Sequence, residues 1–380
     1  MANGGQYDIA IGGAGPVGLA LAAMLVRHGA APHRIALIDA KPLEHAVKDP
    51  RSLALSWGSR QLLEEIRGWP SAVTPIREIH VSRRGHFGRT LIAADEFSLP
   101  ALGYVSRYGA LVQALSAAAS AAGINVLRPI QIASREEHAD CVVLMLADGR
   151  ALHARVMVQA EGGLFADQPG KALSRDYNQT AVISHVTVSA PQPGRAYERF
   201  TGEGPLALLP QEDGYALVWC LRPARANQVA ALPDAAFLGQ LQQAFGQRLG
   251  RFLSATPRIA YPLGLNAGAA HTARTVAIGN AAQTLHPVAG QGLNLGLRDA
   301  AVLARMLATD ASPLTVQRYA AERRHDRSLT IGLTDAMARA FASAPDGAFS
   351  QGLLGISLGL MDAVRPAKWL LAEQMMFGRR

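Results

Sequence analysis

The sequence predicts an α/β protein of more than one domain, with a Rossmann-like nucleotide-binding unit at its start. Three observations support this prediction. The first fifty residues read as strand, glycine-rich turn, helix and strand, and a second glycine-rich stretch precedes a helix near residue 290. The chain of 380 residues, 49% hydrophobic and 17% charged, is too long for one compact core and too apolar to be disordered.

The opening segment "YDIAIGGAGPVGLALAAMLVRHGAAPHRIALIDA" predicts a β-α-β unit. Residues 7–11 and 35–38 are apolar runs of strand length, and residues 19–27 have helical spacing. The segment is apolar enough to imitate a membrane span. Its glycines and Pro16 nevertheless lie where a strand would turn into a helix, which favours the β-α-β interpretation.

Gly13, Gly15 and Gly18 form a complete G-x-G-x-x-G in the first turn. The first glycine permits the tight turn, the second lets backbone approach a pyrophosphate, and the third lets the helix pack closely on the strand. Asp39 lies 21 positions after Gly18, at the end of the second strand, where a carboxylate can accept hydrogen bonds from ribose hydroxyls. The pattern predicts a dinucleotide site, but it does not distinguish NAD(P) from FAD.

The stretch "AIGNAAQTLHPVAGQGLNLGLRDAA", residues 277–301, has unusual backbone freedom just before a predicted helix. Its glycines and its proline are Gly279, Gly290, Gly292, Gly296 and Pro287. Glycines let main chain approach a ligand, and exposed N–H groups at a helix start favour negative charge. If the first turn holds the adenine half of FAD, we expect this stretch to hold the flavin, with the backbone N–H groups of residues 292–294 near its N1 and C2=O side.

Charge and cysteine content limit the partners. The formal net charge of +8 comes mostly from scattered arginines without interleaved aromatics, so nucleic acid is not expected, whereas an anionic cofactor or membrane surface is. Cys141 and Cys220 lie in apolar runs without metal-ligand spacing, which predicts no metal and a reducing compartment. The start "MANGGQ" lacks signal-peptide features, so we expect a cytoplasmic protein.

Along essentially its whole length the sequence resembles a known family. "IGNAAQTLHPVAGQGLNLGLRDA" is similar to the second flavin-binding motif of single-component FAD monooxygenases of the p-hydroxybenzoate hydroxylase fold. "DPRSLALSWGSRQLLEEIRGW", "VSRYGALVQAL" and "YERFTGEGPLALLPQEDGYALVW" are similar to further segments of these enzymes, in the same order. Within the family, the chain is most similar to the 2-polyprenyl-phenol hydroxylases of ubiquinone biosynthesis, of which 2-octaprenyl-6-methoxyphenol hydroxylase is an example.

The resemblance implies a Rossmann-like FAD-binding domain of the GR2 type, an inserted β-sheet substrate domain and a C-terminal helical segment. The FAD-binding domain would be discontinuous and comprise residues 1–75, 100–175 and 262–325. The substrate domain would comprise residues 76–99 and 176–261, and the C-terminal helices residues 326–380.

The resemblance also assigns cofactor contacts. Arg51 would contact FAD, and Arg107, at a helix start, its pyrophosphate. Asn280 stands where the broader family has aspartate, as is frequent in the ubiquinone branch, and it still offers an acceptor to a ribityl hydroxyl. Glu161 and Gly162 replace a usual Asp-Gly linked to FAD and reduced nicotinamide. The other implied flavin contacts are Gly279, Pro287, Gly290, Gly292, Leu293 and Asn294.

By resemblance, NADPH or NADH transiently donates hydride to FAD, the reduced flavin captures O₂, and a C4a-hydroperoxide hydroxylates a polyprenyl-phenol. "GPLALLP", residues 204–210, would form an apolar roof. His286 has two interpretations, a general base toward the phenol or a structural histidine that holds its loop. Other functions stay open: a flavin-dependent dehydrogenase or reductase, a monooxygenase of another aromatic substrate, and a non-enzymatic FAD-binding scaffold.

The C-terminal stretch, residues 353–380, is apolar and contains Arg365, Lys368, Arg379 and Arg380. This composition suits contact with a membrane surface or a polyprenyl tail. The protein would then lie peripherally at the inner membrane, with other ubiquinone-biosynthesis proteins as partners. The same composition equally suits helices packed on the body of the protein or on a second copy in a homo-oligomer.

Overall fold

The computed structural model describes residues 6–84, 89–162, 173–268, 271–287 and 290–342, together with Glu373 and Phe377. In chain order the strands are β1 (Gln6–Gly12), β2 (Ile35–Ile38), β3 (Ser52–Ser56), β4 (Thr74–Ile76), β5 (Glu78–Arg83), β6 (Arg89–Ala93), β7 (Gly103–Arg107), β8 (Val126–Leu127), β9 (Ile132–Glu137), β10 (Val142–Leu146), β11 (Ala151–Gln159), β12 (Leu173–Val188), β13 (Arg195–Phe200), β14 (Pro205–Gln211), β15 (Gly214–Leu221), β16 (Phe252–Ala255), β17 (Ile259–Ala267), β18 (Thr275–Ala277) and β19 (Gln283–Thr284). The α-helices are α1 (Pro16–Arg27), α2 (Leu43–Val47), α3 (Trp57–Glu65), α4 (Tyr108–Ala121), α5 (Pro223–Ala230), α6 (Asp234–Phe245), α7 (Gln291–Thr309) and α8 (Pro313–Ala342).

The first sheet carries the nucleotide-binding turn. Its described strands follow the order β8-β2-β1-β11-β10-β9, and β18 also pairs with β11. The pairs around β1 are parallel, whereas β9 and β10 run antiparallel at one edge. Helix α1 begins at Pro16, whose fixed φ suits a first turn, and its apolar run is buried against α4 and α7. The predicted β-α-β unit is confirmed.

The second sheet is the predicted insertion. Its described strands follow the order β19-β17-β12-β15-β14-β13-β5-β6, and β16 also pairs with β12. One face is covered by α5 and α6, because alternate apolar side chains of the strands pack there with Trp219, Phe237 and Phe245. The other face is not covered by these two helices, and it faces the rest of the molecule.

A small sheet in the order β3-β7-β4 joins the two halves. Ser52 of β3 donates a hydrogen bond from its Oγ to Oε1 of Gln211 on β14 (2.9 Å). Val105 of β7 and Ile76 of β4 pack with Ala196 of β13. The uncovered face of the second sheet thus meets the nucleotide-binding half through β3, β4 and β7.

Two of the predicted domain boundaries fall within paired strands. β12 and β17 pair from Leu173 opposite Ala267 to Ile183 opposite Ile259, with a register shift between Asp176 and Gln179. Both strands therefore belong to the second sheet over their whole lengths, although the boundaries at residues 176 and 262 would cut them. The division into a discontinuous FAD-binding domain and an inserted domain, with its boundaries, stays a prediction.

The predicted C-terminal segment begins inside α8 and lies mostly outside the described residues. Phe377 packs beside Ala94 and Leu102, so the chain touches its own body at this point. Among the described residues, we find no helix with the length and apolar character that a membrane crossing requires.

Candidate functional site

The first glycine turn has the geometry of a phosphate cradle. Gly13 has φ +100°, and a Cβ on Gly18 would lie 1.9 Å from the carbonyl oxygen of Gly13, so only glycine lets α1 approach the strand this closely. At Gly15 a Cβ would meet only the hydroxyl oxygen of Tyr108, at 3.5 Å. The turn is therefore tight on its inner side and open at Gly15.

Asp39 closes this turn. The backbone N–H of Ala14 donates to Asp39 Oδ2 (2.6 Å), and that of Lys41 donates to Oδ1 (2.8 Å). The carboxylate thus lies at the mouth of the glycine turn, at the end of β2, as the sequence predicts. Its ionised oxygens retain acceptor capacity for a ribose hydroxyl.

Arg128 is a neighbour of this turn that the sequence analysis missed. Its Nη2 donates to the carbonyl oxygen of Ala14 (2.9 Å), and its Nε is buried without a hydrogen-bond partner among the described residues. Arg128 also lines an open cleft of about 540 Å³ beside Ala40, Leu127 and Pro129. An orphaned buried donor beside an open cleft fits the adenosine end of a dinucleotide.

The two predicted arginines differ in position. Arg51 pairs with Asp49 (2.6 Å) and lies over the ring of Tyr108, with its Cζ 4.7 Å from the ring centroid. Because the Tyr108 hydroxyl faces Gly15, Arg51 lies within the surroundings of the glycine turn. The guanidinium of Arg107 instead makes a two-pronged salt bridge with Glu212, with both N···O distances 2.7 Å. Arg107 contacts the inserted sheet, and its pyrophosphate role stays a prediction.

The second glycine stretch packs directly on the first. Gly279 has φ +59° and faces Val17 of α1, and a Cβ on Gly296 would lie 2.9 Å from a Val17 methyl. A Cβ on Gly162 would lie 2.9 Å from Cβ of Asn280. Two predicted cofactor segments far apart in sequence are therefore neighbours, at the carboxyl ends of β1, β11 and β18.

Glu161 also lies at the carboxyl ends of β1, β11 and β18. A Cβ on Gly12 would lie 3.2 Å from Glu161 Oε1, which places the carboxylate beside β1. The side chain is exposed, yet the protein around the cleft desolvates its carboxylate, and this effect, aided by the negative charge of Asp39, raises the pKa of Glu161. The two acids therefore lie near enough for the charge of Asp39 to act on Glu161.

Helix α7 begins with an open backbone. Gly290 is its N-cap in the left-handed region (φ +60°), and a Cβ on Gly292 would have no atom of the described residues within 4 Å. Leu293 packs against the first core. The α7 N-terminus thus presents backbone N–H groups and empty space together, which fits the flavin end of FAD.

The side chain of Asn294 is committed to the protein. Its Oδ1 accepts from the backbone N–H of Ser56 (2.9 Å) and the hydroxyl of Ser59 (2.7 Å). Its Nδ2 donates to the carbonyl oxygens of Ala54 (3.0 Å) and Gly290 (2.7 Å). Asn294 therefore fixes the start of α7 against β3 and α3, and only its backbone is available to a cofactor.

His286 lies beside the inserted sheet. Its Nε2 is 2.9 Å from Oε1 of Gln179, and its ring meets that of Tyr177 edge-on, with centroids 5.2 Å apart. Burial lowers the pKa of His286 to about 4, so the imidazole is neutral at pH 7. This arrangement favours the structural interpretation, in which His286 anchors the chain just before Pro287.

The strand "GPLALLP" is divided between two environments. Leu206 and Leu208 are fully buried against α5 and α6. Ala207 and Leu209 alternate with them and point to the other face, where Leu209 packs beside Ile76 and Val105. Only this second set faces the nucleotide-binding half.

Comparison with known proteins identifies the fold and the cofactor. Residues 6–328 match the protein family described as FAD binding domain. The chain belongs to the FAD binding domain family. This FAD-binding chain is 32% identical over 385 residues to ubiquinone hydroxylase UbiL of Rhodospirillum rubrum, covering 97% of this chain and 89% of the relative. It is 32% identical over 312 residues to 3-demethoxyubiquinol 3-hydroxylase of Escherichia coli, covering 79% of each chain.

A solved structure confirms the fold. The p-nitrophenol 4-monooxygenase PnpA of Pseudomonas putida superposes with a TM-score of 0.78 at 15% identity, covering 99% of this FAD-binding chain and 100% of that one. The family resemblance, the fold class and FAD as the cofactor are therefore confirmed. The individual contacts of the FAD-binding site stay predictions.

We predict that replacing Asp39 by alanine lowers FAD retention tenfold or more. The change removes the acceptor at the mouth of the glycine turn and leaves the Ala14 N–H without its partner. Flavin content after gel filtration, with far-UV circular dichroism as the check on folding, measures this. Glu136→Ala, at the exposed β9 edge, is the control and should keep its flavin. Equal flavin content in Asp39→Ala and the wild type would show that the carboxylate serves the turn alone.

Proposed function

We propose that this protein is an FAD-dependent, NAD(P)H-using monooxygenase that hydroxylates the ring of a polyprenylated phenol in ubiquinone biosynthesis. The observation that carries the proposal is the near full-length similarity to a ubiquinone hydroxylase, 32% identity over 97% of this chain. A second relative named for the same class of reaction, the 3-demethoxyubiquinol 3-hydroxylase, supports it.

The residues of the site fit this chemistry. FAD, when bound, would supply the capacity to accept hydride from NAD(P)H and to activate O₂. Gly13, Gly15 and Asp39 would hold its adenosine and pyrophosphate, and the α7 start its flavin ring. The apolar face that includes Ala207 and Leu209 would exclude water from the reacting ring. Nicotinamide would bind transiently, since the sequence contains one G-x-G-x-x-G.

Oxygen dependence tests the proposal. We expect a short-chain prenylated phenol to accelerate NAD(P)H oxidation, with O₂ uptake and hydroxylated product in equal amounts. Product should be absent when O₂ is excluded. Conversion of the phenol at the same rate without O₂ would instead favour a dehydrogenase or reductase, and product from other phenols alone would favour another aromatic substrate.

Location and assembly belong to the same proposal. We place the protein in the cytoplasm, peripheral to the inner membrane, beside other ubiquinone-biosynthesis proteins. The support is the basic and apolar composition of residues 353–380 and a substrate with a prenyl tail.

A further inference from the structure

A row of half-exposed residues crosses the uncovered face of the second sheet. Each member of the row lies opposite the next on the neighbouring strand. The members, in order, are Val81 of β5, Glu198 of β13, Ala207 of β14, Val218 of β15 and Ile183 of β12. All five are intermediate in exposure. We call this row the sheet groove.

Buried residues border the sheet groove. On β13, Ala196 precedes Glu198 on the same face and Phe200 follows it, and both are 3% exposed. Ala196 packs with Ile76 and Val105, whereas Phe200 packs with Ala338 of α8. Buried side chains therefore border the sheet groove along β13 on both sides of Glu198.

The second glycine stretch meets both walls of the groove. At one wall, Tyr177 packs with Phe200 and contacts His286. At the other, β3 reaches Gln211 of β14 through Ser52, while its Ala54 lies 3.2 Å from the Cβ position of Gly290. The residues expected to hold the flavin thus lie close to side chains at both borders of the sheet groove.

Glu198 is the one charged side chain in the sheet groove. The neighbouring row members are aliphatic, and Glu198 has no hydrogen-bond or ion-pair partner among the described residues. Its side chain keeps some accessible surface, yet protein surrounds the carboxyl closely. Lost hydration alone raises the pKa of Glu198 to about 7. A carboxyl that is both desolvated and unpartnered, on a wall otherwise apolar, is costly unless a ligand pairs with it.

We propose that Glu198 binds the hydroxyl group of the phenol substrate and accepts its proton during hydroxylation. This inference rests on the proposed function. The O–H bond breaks with its electron pair left on oxygen, and the proton moves to a carboxylate oxygen of Glu198. The products of this step are a phenolate and a neutral carboxylic acid. A phenolate oxygen donates electron density to the ring, which favours attack on an electrophilic oxygen.

Other titratable groups face this interior from the elements packed around it. They are Arg83 on β5, Cys220 on β15, Arg175, Tyr177 and His185 on β12, Asp335 on α8, which pairs with Arg175, and, behind Tyr177, His286. Burial and the charge of Glu198 raise the pKa of the Cys220 thiol, which stays protonated. His185 lies on β12 two residues beyond Ile183, on the same face as the row. Comparing the wild type with a variant of Glu198 therefore separates the effect of Glu198 on phenol binding from that of His185.

The test measures binding without turnover. Oxidised holoenzyme is titrated with a short-chain prenylated phenol and with its O-methyl ether, followed by flavin absorbance, from about pH 6 to about pH 8. A carboxyl with a pKa of about 7 goes from about one tenth to about nine tenths ionised over this range. We expect the phenol-to-ether affinity ratio to rise about ninefold in the wild type and to stay flat in Glu198→Gln.

Glu78→Gln is the matched control. Glu78 lies on the neighbouring strand β5, pairs with Arg195 (2.5 Å) and, by alternation, faces the opposite side of the sheet. The Glu78→Gln variant should keep the rise of the phenol-to-ether affinity ratio with pH. A flat ratio in the wild type, or an equal rise in Glu198→Gln, overturns the proposal. If Glu198→Gln loses FAD, Glu198→Asp replaces it. The shorter carboxylate should lower the ratio at least threefold, and an unchanged ratio overturns the proposal.

Turnover separates this inference from the proposed function. We expect hydroxylation by Glu198→Gln to fall about 100-fold or more, with the acidic limb of the wild-type pH profile lost. Hydroxylation at the wild-type rate refutes the role of Glu198 and leaves the function standing. A wild type that hydroxylates no phenol refutes the function, and the binding ratio then still decides whether Glu198 recognises a hydroxyl group.

Discussion

Replacing Gly292 by valine should give a folded protein that holds at least about tenfold less FAD, equivalent to about 1.4 kcal/mol of binding. No atom of the described residues lies within 4 Å of the Cβ position at Gly292, so these residues accommodate the side chain. The empty space at the α7 start is where we place the flavin, and valine would fill it. Flavin absorbance per protein after gel filtration measures the loss, and thermal unfolding of the apoprotein checks the fold.

Gly239→Val is the matched control for this experiment. Gly239 is also a helical glycine, and within the described part of the chain no atom lies within 4 Å of its Cβ position. It lies in α6, on the far side of the second sheet. This variant should keep its flavin. A Gly292→Val protein that is yellow and fully active would show that the glycines before α7 serve only the turn.

Replacing Asp299 by asparagine should lower the free energy of unfolding by about 3–5 kcal/mol. Asp299 is 0% exposed and accepts from Arg323 Nε (2.8 Å) and from Gln283 Nε2 (3.2 Å). Arg298, beside it in α7, and Arg323 in α8 share the remaining acid, Asp326. The substitution leaves two buried guanidinium groups with one carboxylate. Denaturant unfolding measures the loss.

The same two helices offer the control. Arg305 of α7 and Glu322 of α8 form an ion pair of 3.0 Å whose side chains are 63% and 48% exposed. Glu322→Gln should cost no more than about 1 kcal/mol, because water already solvates both groups. A similar loss in both variants would mean that the α7–α8 contact depends on apolar packing and not on its buried charges.

Local pattern was enough to predict the parts of the site that depend on backbone. Gly13, Gly18 and Asp39 are where the fingerprint requires them, since their roles follow from positions along one β-α-β unit. Arg107 illustrates the limit, because its guanidinium pairs with Glu212, 105 positions away, and no local pattern reports such a partner. Arg128 was missed for the same reason: its contact with Ala14 spans 114 positions.

Glu198 shows a different limit. In the sequence it is one acid within "YERF", indistinguishable from a solvated strand residue. Its importance arises from cross-strand register, which sets it among Val81, Ala207 and Val218, and from the desolvation that this position imposes. The alternation of side chains along β14 would have shown which leucines share a face of the strand. It would not have shown which part of the molecule packs against the face that carries Ala207 and Leu209.

The packing of Gly296 and Gly279 on Val17 has a consequence for biosynthesis. Val17 and Gly296 are 279 positions apart, so the two halves of the cofactor site leave the ribosome at well-separated times. The nascent β-α-β unit carries its fingerprint early, but the backbone that completes the cradle emerges only after the whole inserted sheet. Such long-range closure slows folding, and domains that finish early must wait for their partners. We therefore expect FAD to be captured only after Gly296 has been synthesised.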